Sequence, residues 1–111
     1  MAKQEMDEAE VWRGEDVTLR IKVAGEDKPD DETPHYRVAV RASAEALVEV
    51  GPDDISEPDE DHYDVPLTHE QLASLRAQAH YHELYRASTR NVLAYGQLNV
   101  RESQLARHDE D

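Results

Sequence analysis

Two histidines separated by one residue, His80 and His82, are the side chains in this sequence whose type and spacing come closest to a chemical site. Side chains two positions apart lie on the same face of a β-strand, so a strand here places both imidazoles together. His62 or nearby carboxylates would then complete a set of ligands such as zinc uses. Two histidines without a fixed third ligand are common, however, so we expect no metal at His80 and His82.

The strand that carries these histidines does not reveal its inward face. If His80 and His82 point inwards, they replace buried aromatic side chains. If the aromatic pair is instead shifted onto Tyr81, the histidines are exposed to solvent. The sequence leaves both alternatives open.

A run of acidic residues between positions 53 and 61 is the second candidate, since carboxylates attract calcium and magnesium. The run contains Asp53-Asp54, Glu57 and Asp59-Glu60-Asp61. It lacks the ordered ligand spacing and the glycine of an EF-hand loop. We therefore expect a solvated, acidic loop in which Ile55 turns back towards the core.

No arrangement of residues in the sequence indicates catalysis. There is no nucleophile motif, no phosphate-binding glycine loop and no convincing pair of catalytic carboxylates. A chain of 111 residues also leaves little room for a buried pocket. We expect a protein that is not an enzyme and has no cofactor.

Charge is the most unusual bulk property of the chain. It has 26 acidic residues against 12 basic ones, a formal net charge of −14. Such a surface repels nucleic acid and anionic lipid, so neither is expected as a partner. Carboxylates are dense along the whole chain, and three of the basic residues are lysines. This composition resembles that of proteins from extreme halophiles. Salt would screen the mutual repulsion of the carboxylates.

Short alternating segments dominate the remainder of the sequence. The clearest strands are expected at Val17–Val23, Tyr36–Ala42, Tyr63–Leu67, Ala79–Arg86 and Val92–Val100. Residues 44–50 suit either a helix or a strand, and we favour a strand. Thr68 and Gln71 have the spacing of a capping box, which predicts a short helix from His69 to about Arg76.

These elements predict an all-β protein, an antiparallel β-sandwich of about seven strands with one short helical crossover. Pro66 places its strand at an edge or at a strand end, because proline cannot donate a ladder hydrogen bond. Residues 1–10 are expected to form an N-terminal arm or a ragged first strand, 11–100 the sandwich, and 101–111 a charged tail. Trp12 is expected in the core, since tryptophan is highly buried on average.

Four segments together resemble the immunoglobulin-like domain at the N-terminus of phage baseplate upper proteins. They are Arg13-Gly14-Glu15-Asp16-Val17-Thr18-Leu19, the crossover Val65-Pro66-Leu67-Thr68-His69-Glu70-Gln71-Leu72-Ala73-Ser74-Leu75, the aromatic strand His80-Tyr81-His82-Glu83-Leu84, and Tyr95-Gly96-Gln97-Leu98-Asn99-Val100. The family usually has a glycine before the aromatic strand, where this chain has Gln78 or Ala79. The resemblance covers roughly residues 11–100.

The resemblance implies an immunoglobulin-like fold and a structural role in a virus particle, without catalytic residues. The expected partners are other virion proteins, such as capsid, connector or tail subunits, and symmetric copies of the chain within the particle. We expect the protein to be located in the virion, after synthesis in the host cytoplasm. The acidic composition points to a tailed virus of a haloarchaeon. The alternative is an adhesion module for a host surface or carbohydrate, which exposed aromatics at Tyr36, Tyr63 and Tyr85 would support.

Overall fold

A computed structural model of the protein describes residues 4–25 and 28–102. In these residues, strands alternate with short connections and a single five-residue helix interrupts them. The elements are β1 Gln4–Glu5, β2 Ala9–Trp12, β3 Val17–Lys22, β4 His35–Ala39, β5 Val48–Val50, β6 Ser56–Asp59, β7 His62–Leu67, α1 His69–Ala73, β8 Ala79–Tyr85 and β9 Val92–Arg101.

The strands form two sheets whose inner faces enclose the core. One sheet has the order β1-β9-β8-β4-β5, with β2 also paired to β9, and the other has the order β3-β7-β6. Strands β3, β7 and β6 match B, E and D of an immunoglobulin domain, and β9, β8, β4 and β5 match G, F, C and C′. The protein is an all-β, immunoglobulin-like sandwich, as the sequence predicted.

The period-2 pattern of the sequence explains which side chains fill this core. In β3, β4, β7 and β9, every second residue is apolar and points between the sheets. Its largest fully buried aliphatic members include Leu67, Leu72, Leu75, Leu84 and Leu98.

The first strand departs from the antiparallel prediction. Segments β1 and β2 both run parallel to β9, with Gln4 beside Ala94 and Val11 beside Val100. Between them the chain remains attached through the N–H of Met6, which donates to the Tyr95 carbonyl at 2.7 Å. Of the two alternatives for residues 1–10, the described part takes the form of a ragged first strand. The C-terminal tail lies outside the described residues from position 103 onward.

Pro66 lies at the end of its strand, one of the two positions that the sequence allowed, and not at a sheet edge. Its strand β7 is the central strand of its sheet, between β3 and β6. The neighbouring β6 pairs only as far as Asp64, so no partner strand requires a donor from position 66. Proline is tolerated there because the ladder on that side has already ended.

The capping box at the start of the crossover helix is present as predicted. The Thr68 side chain accepts a hydrogen bond from the Gln71 N–H, and the Gln71 side chain accepts one from the Thr68 N–H. The helix buries Leu72 and ends at Ala73, three residues before the predicted end. Leu75 is also buried, in the turn that follows.

Several strand bounds differ from the prediction. The strand at Tyr36 ends at Ala39, and Val40 is exposed. In residues 44–50, only Val48–Val50 form a strand. The acidic loop contains β6, while Ile55 is buried as expected.

Candidate functional site

The structure places both candidate histidines on the inner face of β8, between the two sheets. His80 is 3% exposed and His82 is 1% exposed. Their neighbour Leu84 is also buried on this face, which answers the question that the sequence left open. Tyr81, the alternative, lies on the outer face with Tyr85, and both are half-buried.

His82 forms a hydrogen-bonded pair with a buried tyrosine of the adjacent strand. The Tyr36 Oη lies 2.8 Å from His82 Nδ1, and the two rings meet edge to face with centroids 5.6 Å apart. Burial lowers the pKa of His82 to about 4 and raises the pKa of Tyr36. Both groups are therefore neutral at pH 7, because a charge here would be desolvated.

This pair lies between the strands that match C and F of immunoglobulin domains. Antibody domains pack a strand-C tryptophan against a disulfide that involves strand F. The present chain has no cysteine and builds a tyrosine–histidine hydrogen bond between the same two strands. Two residues earlier, His80 Nδ1 lies 3.0 Å from the Gln78 carbonyl, a local bond similar to the one that a tyrosine corner makes.

The described residues do not assemble the metal shell considered from the sequence. His62, the proposed third ligand, is on β7 in the other sheet, where its Nδ1 lies 2.7 Å from Asp59 Oδ1. Within residues 4–25 and 28–102, no group of three His, Asp or Glu side chains is arranged to hold a metal. The Nε2 atoms of His80 and His82 are buried, and neither has a hydrogen-bond partner in this part of the chain.

The ammonium group of Lys28 lies within the acidic segment around β6. The Lys28 Nζ donates to the carbonyls of Asp59 and His62 at 2.7 and 2.9 Å, and to Glu57 Oε2 at 3.4 Å. It also lies 4.4 Å from the centroid of the Tyr63 ring. Three acceptors and a cation–π contact fix the ammonium group in place, with 8% of the side chain exposed. No local pattern in the sequence points to Lys28, because 29 or more residues separate it from its partners.

On the outer face of the larger sheet, a second polar cluster lies under the loop between β4 and β5. Arg37 Nη2 is 3.2 Å from Glu83 Oε1, and Glu83 is 6% exposed. The same guanidinium donates to the loop carbonyls of Ala42 and Ala44. Burial, together with a hydrogen bond to Glu83, raises the pKa of Tyr81. The cluster therefore attaches the loop to the sheet.

The burial of several aromatic side chains differs from what the sequence suggested. Tyr36 and Tyr63 are fully buried, and Trp12, expected in the core, is half-buried at the end of β2. The Tyr63 ring is part of the core, and burial raises its pKa to about 12. Tyr81 and Tyr95 instead line a groove of about 570 Å³ on the outer face, together with Glu5, Glu8 and Gln97.

No helix in the part of the chain that the structure describes is long and apolar enough to cross a membrane. No protein-family model matches the chain, and no curated protein matches it.

Similar solved structures include the NK cell receptor NKp44, with 16% sequence identity and a TM-score of 0.49. That match covers 93% of this chain and all of the other. The first immunoglobulin domain of ZIG-8, solved as a homodimer, has 12% identity and a TM-score of 0.46, covering 93% and 85% of the two chains. The Ig1 domain of mouse SynCAM 2 has 10% identity and a TM-score of 0.41, covering 86% and 92%. The fold assignment stands on the strand order given above.

Proposed function

We propose that the protein is a non-enzymatic structural component of a virus particle, which acts through contacts between proteins. The observation that carries this proposal is the agreement between motif order and architecture. The four segments that resemble the phage immunoglobulin-like domain fall on the β2–β3 turn with the start of β3, on the β7–α1 crossover, on β8 and on β9 of a sandwich. Each segment alone is a weak signal, and their shared order supports the proposal.

The polar side chains inside the sandwich serve packing rather than chemistry. His82 is neutral, bonded to Tyr36 and enclosed between the sheets. The buried Glu83 and Lys28, whose side chain is 8% exposed, are held by partners in the same chain. A protein arranged in this way presents its surface and strand edges to others, here to capsid, connector or tail subunits in symmetric copies.

The direct test is to purify the virus particles and measure the chain in them. Quantitative mass spectrometry should find it in a fixed ratio to the capsid or tail subunits, retained after density-gradient purification. A chain that occurs in infected cells but is absent from purified particles would contradict the proposal.

We propose further that the virus infects a haloarchaeon, which the acidic composition supports. With a net charge of −14, repulsion between carboxylates should destabilise the fold at low ionic strength, where the Debye length is about 30 Å at 0.01 M. Circular dichroism from molar salt to 0.01 M should therefore show loss of structure. Full stability at 0.01 M would defeat the halophile interpretation and leave the fold unaffected.

The second candidate function is carbohydrate adhesion, which the groove lined by Tyr81 and Tyr95 favours. Aromatic rings beside carboxylates and an amide form a surface suited to sugars, with apolar area and polar groups together. A glycan array should then show binding that Tyr95→Ala abolishes and Tyr85→Ala leaves intact. An array without binding would remove this alternative.

A further inference from the structure

The groove lined by Tyr81 and Tyr95 continues along the outer face of the larger sheet. A second cavity, of about 560 Å³, follows it and shares Ala79 with it. Trp12 lines this second cavity and lies beside Arg101 at the far end of β9. The stretch of β9 from Tyr95 to Arg101 gives the combined groove a length of about 20 Å. Aromatic side chains therefore lie towards both of its ends.

The alternation of the strands explains why these side chains face the groove. On β9, Leu98 is buried in the core, so Gln97 and Asn99 on either side of it point outwards. On β2, Val11 is buried in the same way, so Trp12 points outwards. The floor and the aromatic ends thus belong to strands of one sheet, and the ladder between β2 and β9 fixes their relative positions.

A pair of side-chain amides lies between the aromatic ends of the groove. Gln97 Nε2 donates to Asn99 Oδ1 at 2.8 Å, which orients both amides along β9. Each amide has two N–H donors and a carbonyl oxygen with two lone pairs, so the pair can still donate to a ligand and accept from it. Hydroxyl groups also donate and accept, and they match such amides.

The charged side chains along the groove favour a neutral ligand. In the half at Trp12, Arg101 Nε lies 3.2 Å from Glu10 Oε1, and Arg13 Nη1 lies 3.1 Å from Glu102 Oε1, so each carboxylate there has a cation beside it. The charged side chains that line the other half are Glu5, Glu8 and Arg41. Two carboxylates against one guanidinium act against uronates and sulfate esters, which carry the same charge as the glutamates.

The backbone of the groove floor is already paired, which argues against an extended peptide as the ligand. Strand β8 lies between β9 and β4, and β9 lies between β8 and the β1–β2 segment. An added peptide strand needs an open sheet edge, and neither strand offers one here. Proline-rich peptides dock instead on aromatic-lined grooves, but the space between these aromatic ends is lined by amides and charged groups.

We propose that the combined groove binds a linear, neutral oligosaccharide. Tyr81 and Tyr95 contact one end of the sugar chain and Trp12 contacts the other, with apolar ring faces against the sugars. The amide pair between them binds the hydroxyl groups, and the small side chain of Ala79 leaves room for the chain to pass. The inference rests on the second candidate function, carbohydrate adhesion, and adds to it the Trp12 half of the site and the length and charge of the ligand.

The probes are β-linked oligosaccharides of glucose, mannose and N-acetylglucosamine, each as a disaccharide and a tetrasaccharide, titrated into the full chain. Trp12 is the only tryptophan of the sequence, so its fluorescence reports on the far half of the groove. For at least one of these sugars, the emission should change to saturation with the tetrasaccharide. The tetrasaccharide should bind at least about tenfold more tightly than the disaccharide, a difference of roughly 1.4 kcal/mol.

Two pairs of variants, measured by calorimetry, assign this advantage to the groove. Trp12→Ala should remove it and leave the affinity for the disaccharide unchanged, whereas Tyr85→Ala, on the same face but outside the groove, should change neither affinity. If Trp12→Ala does not fold, Ala79→Arg, at the exposed position that both halves share, should weaken binding of the tetrasaccharide. Ala87→Arg, exposed in the β8–β9 loop, should not.

Equal affinities for the two lengths, or an advantage that persists in Trp12→Ala, would overturn the inference and leave adhesion at the tyrosines in place. Absence of binding by all of these sugars would overturn the inference together with the adhesion function. A proline-rich peptide that changes the Trp12 emission where no sugar does would assign the groove to peptides instead. The virion role fails separately, since it depends on the presence of the chain in purified particles.

Discussion

The two faces of the β4–β8 strand pair hold polar groups in opposite ways. On the inner face, Tyr36 and His82 form a neutral hydrogen bond in the core. On the outer face, Arg37 lies directly opposite Glu83 and forms an ion pair. The four residues belong to the same two strands, so the comparison isolates the effect of the environment.

The difference shows where this sandwich tolerates charge. Between the sheets, burial shifts the pKa values of both partners away from their charged forms. On the outer face, the guanidinium has carbonyl acceptors in the β4–β5 loop as well as a carboxylate. A buried charge is tolerable when it is paired and fully hydrogen-bonded, and the loop supplies the missing acceptors. The outer pair thereby also fixes the loop.

The largest expected effect comes from breaking the outer pair. Glu83→Leu leaves Arg37 without its carboxylate and should reduce the free energy of unfolding by roughly 3 kcal/mol. Urea denaturation would measure this, with Glu49→Leu as a control, since Glu49 lies opposite Arg37 on β5 but is exposed. The control should change stability by less than about 0.5 kcal/mol. Equal losses of unfolding free energy in both variants would show that the Arg37–Glu83 pair stabilises the fold no more than the exposed Glu49 does.

The inner pair should make stability depend on pH. The pKa of His82 is lowered to about 4 in the folded chain, whereas an unfolded histidine titrates near 6.5. Between these values the unfolded chain binds a proton that the folded chain does not, so stability should fall as the pH decreases from about 6.5 to 4. The loss should approach about 3 kcal/mol, with no further loss from His82 below that window.

Urea denaturation at a series of pH values separates this histidine from the others. The variant His82→Gln should flatten the dependence between pH 6.5 and 4. The carboxylates whose pKa values are lowered, including Asp16 and Asp64, act mainly below this range. An unchanged slope in His82→Gln would contradict the neutral, buried histidine.

The smallest expected effect is the loss of a single hydroxyl group. Tyr36→Phe removes the partner of His82 Nδ1 and should cost about 1–2 kcal/mol, since a buried acceptor or donor is left unsatisfied. Tyr85→Phe, on the outer face of the neighbouring strand, should cost less than about 0.5 kcal/mol. Thermal or urea unfolding of the two variants compares them directly, and a smaller loss for Tyr36→Phe would show that the inner bond contributes little.

The elements that were predicted correctly from the sequence are those that local patterns determine. Alternation identified β3, β4, β7 and β9, and the spacing of Thr68 and Gln71 identified the helix start. The face of β8 was not predictable from alternation alone, because histidines and tyrosines occupy its two sides. Leu84 was the available signal, as the one aliphatic side chain among them.

Contacts between distant segments were not predictable either. The parallel pairing of β1 and β2 with β9 depends on which of two neighbouring edges the first strand joins. The Lys28 site depends on a turn that brings an isolated lysine beside β6 and β7. Nothing in the local sequence encodes either contact, since both arise only after the sheets have packed.

Cryo-electron microscopy of purified particles tests the central claim most directly. We predict repeated density for the sandwich in symmetric copies against capsid, connector or tail subunits. Particles whose complete density is explained without this chain would contradict a structural role in the virion.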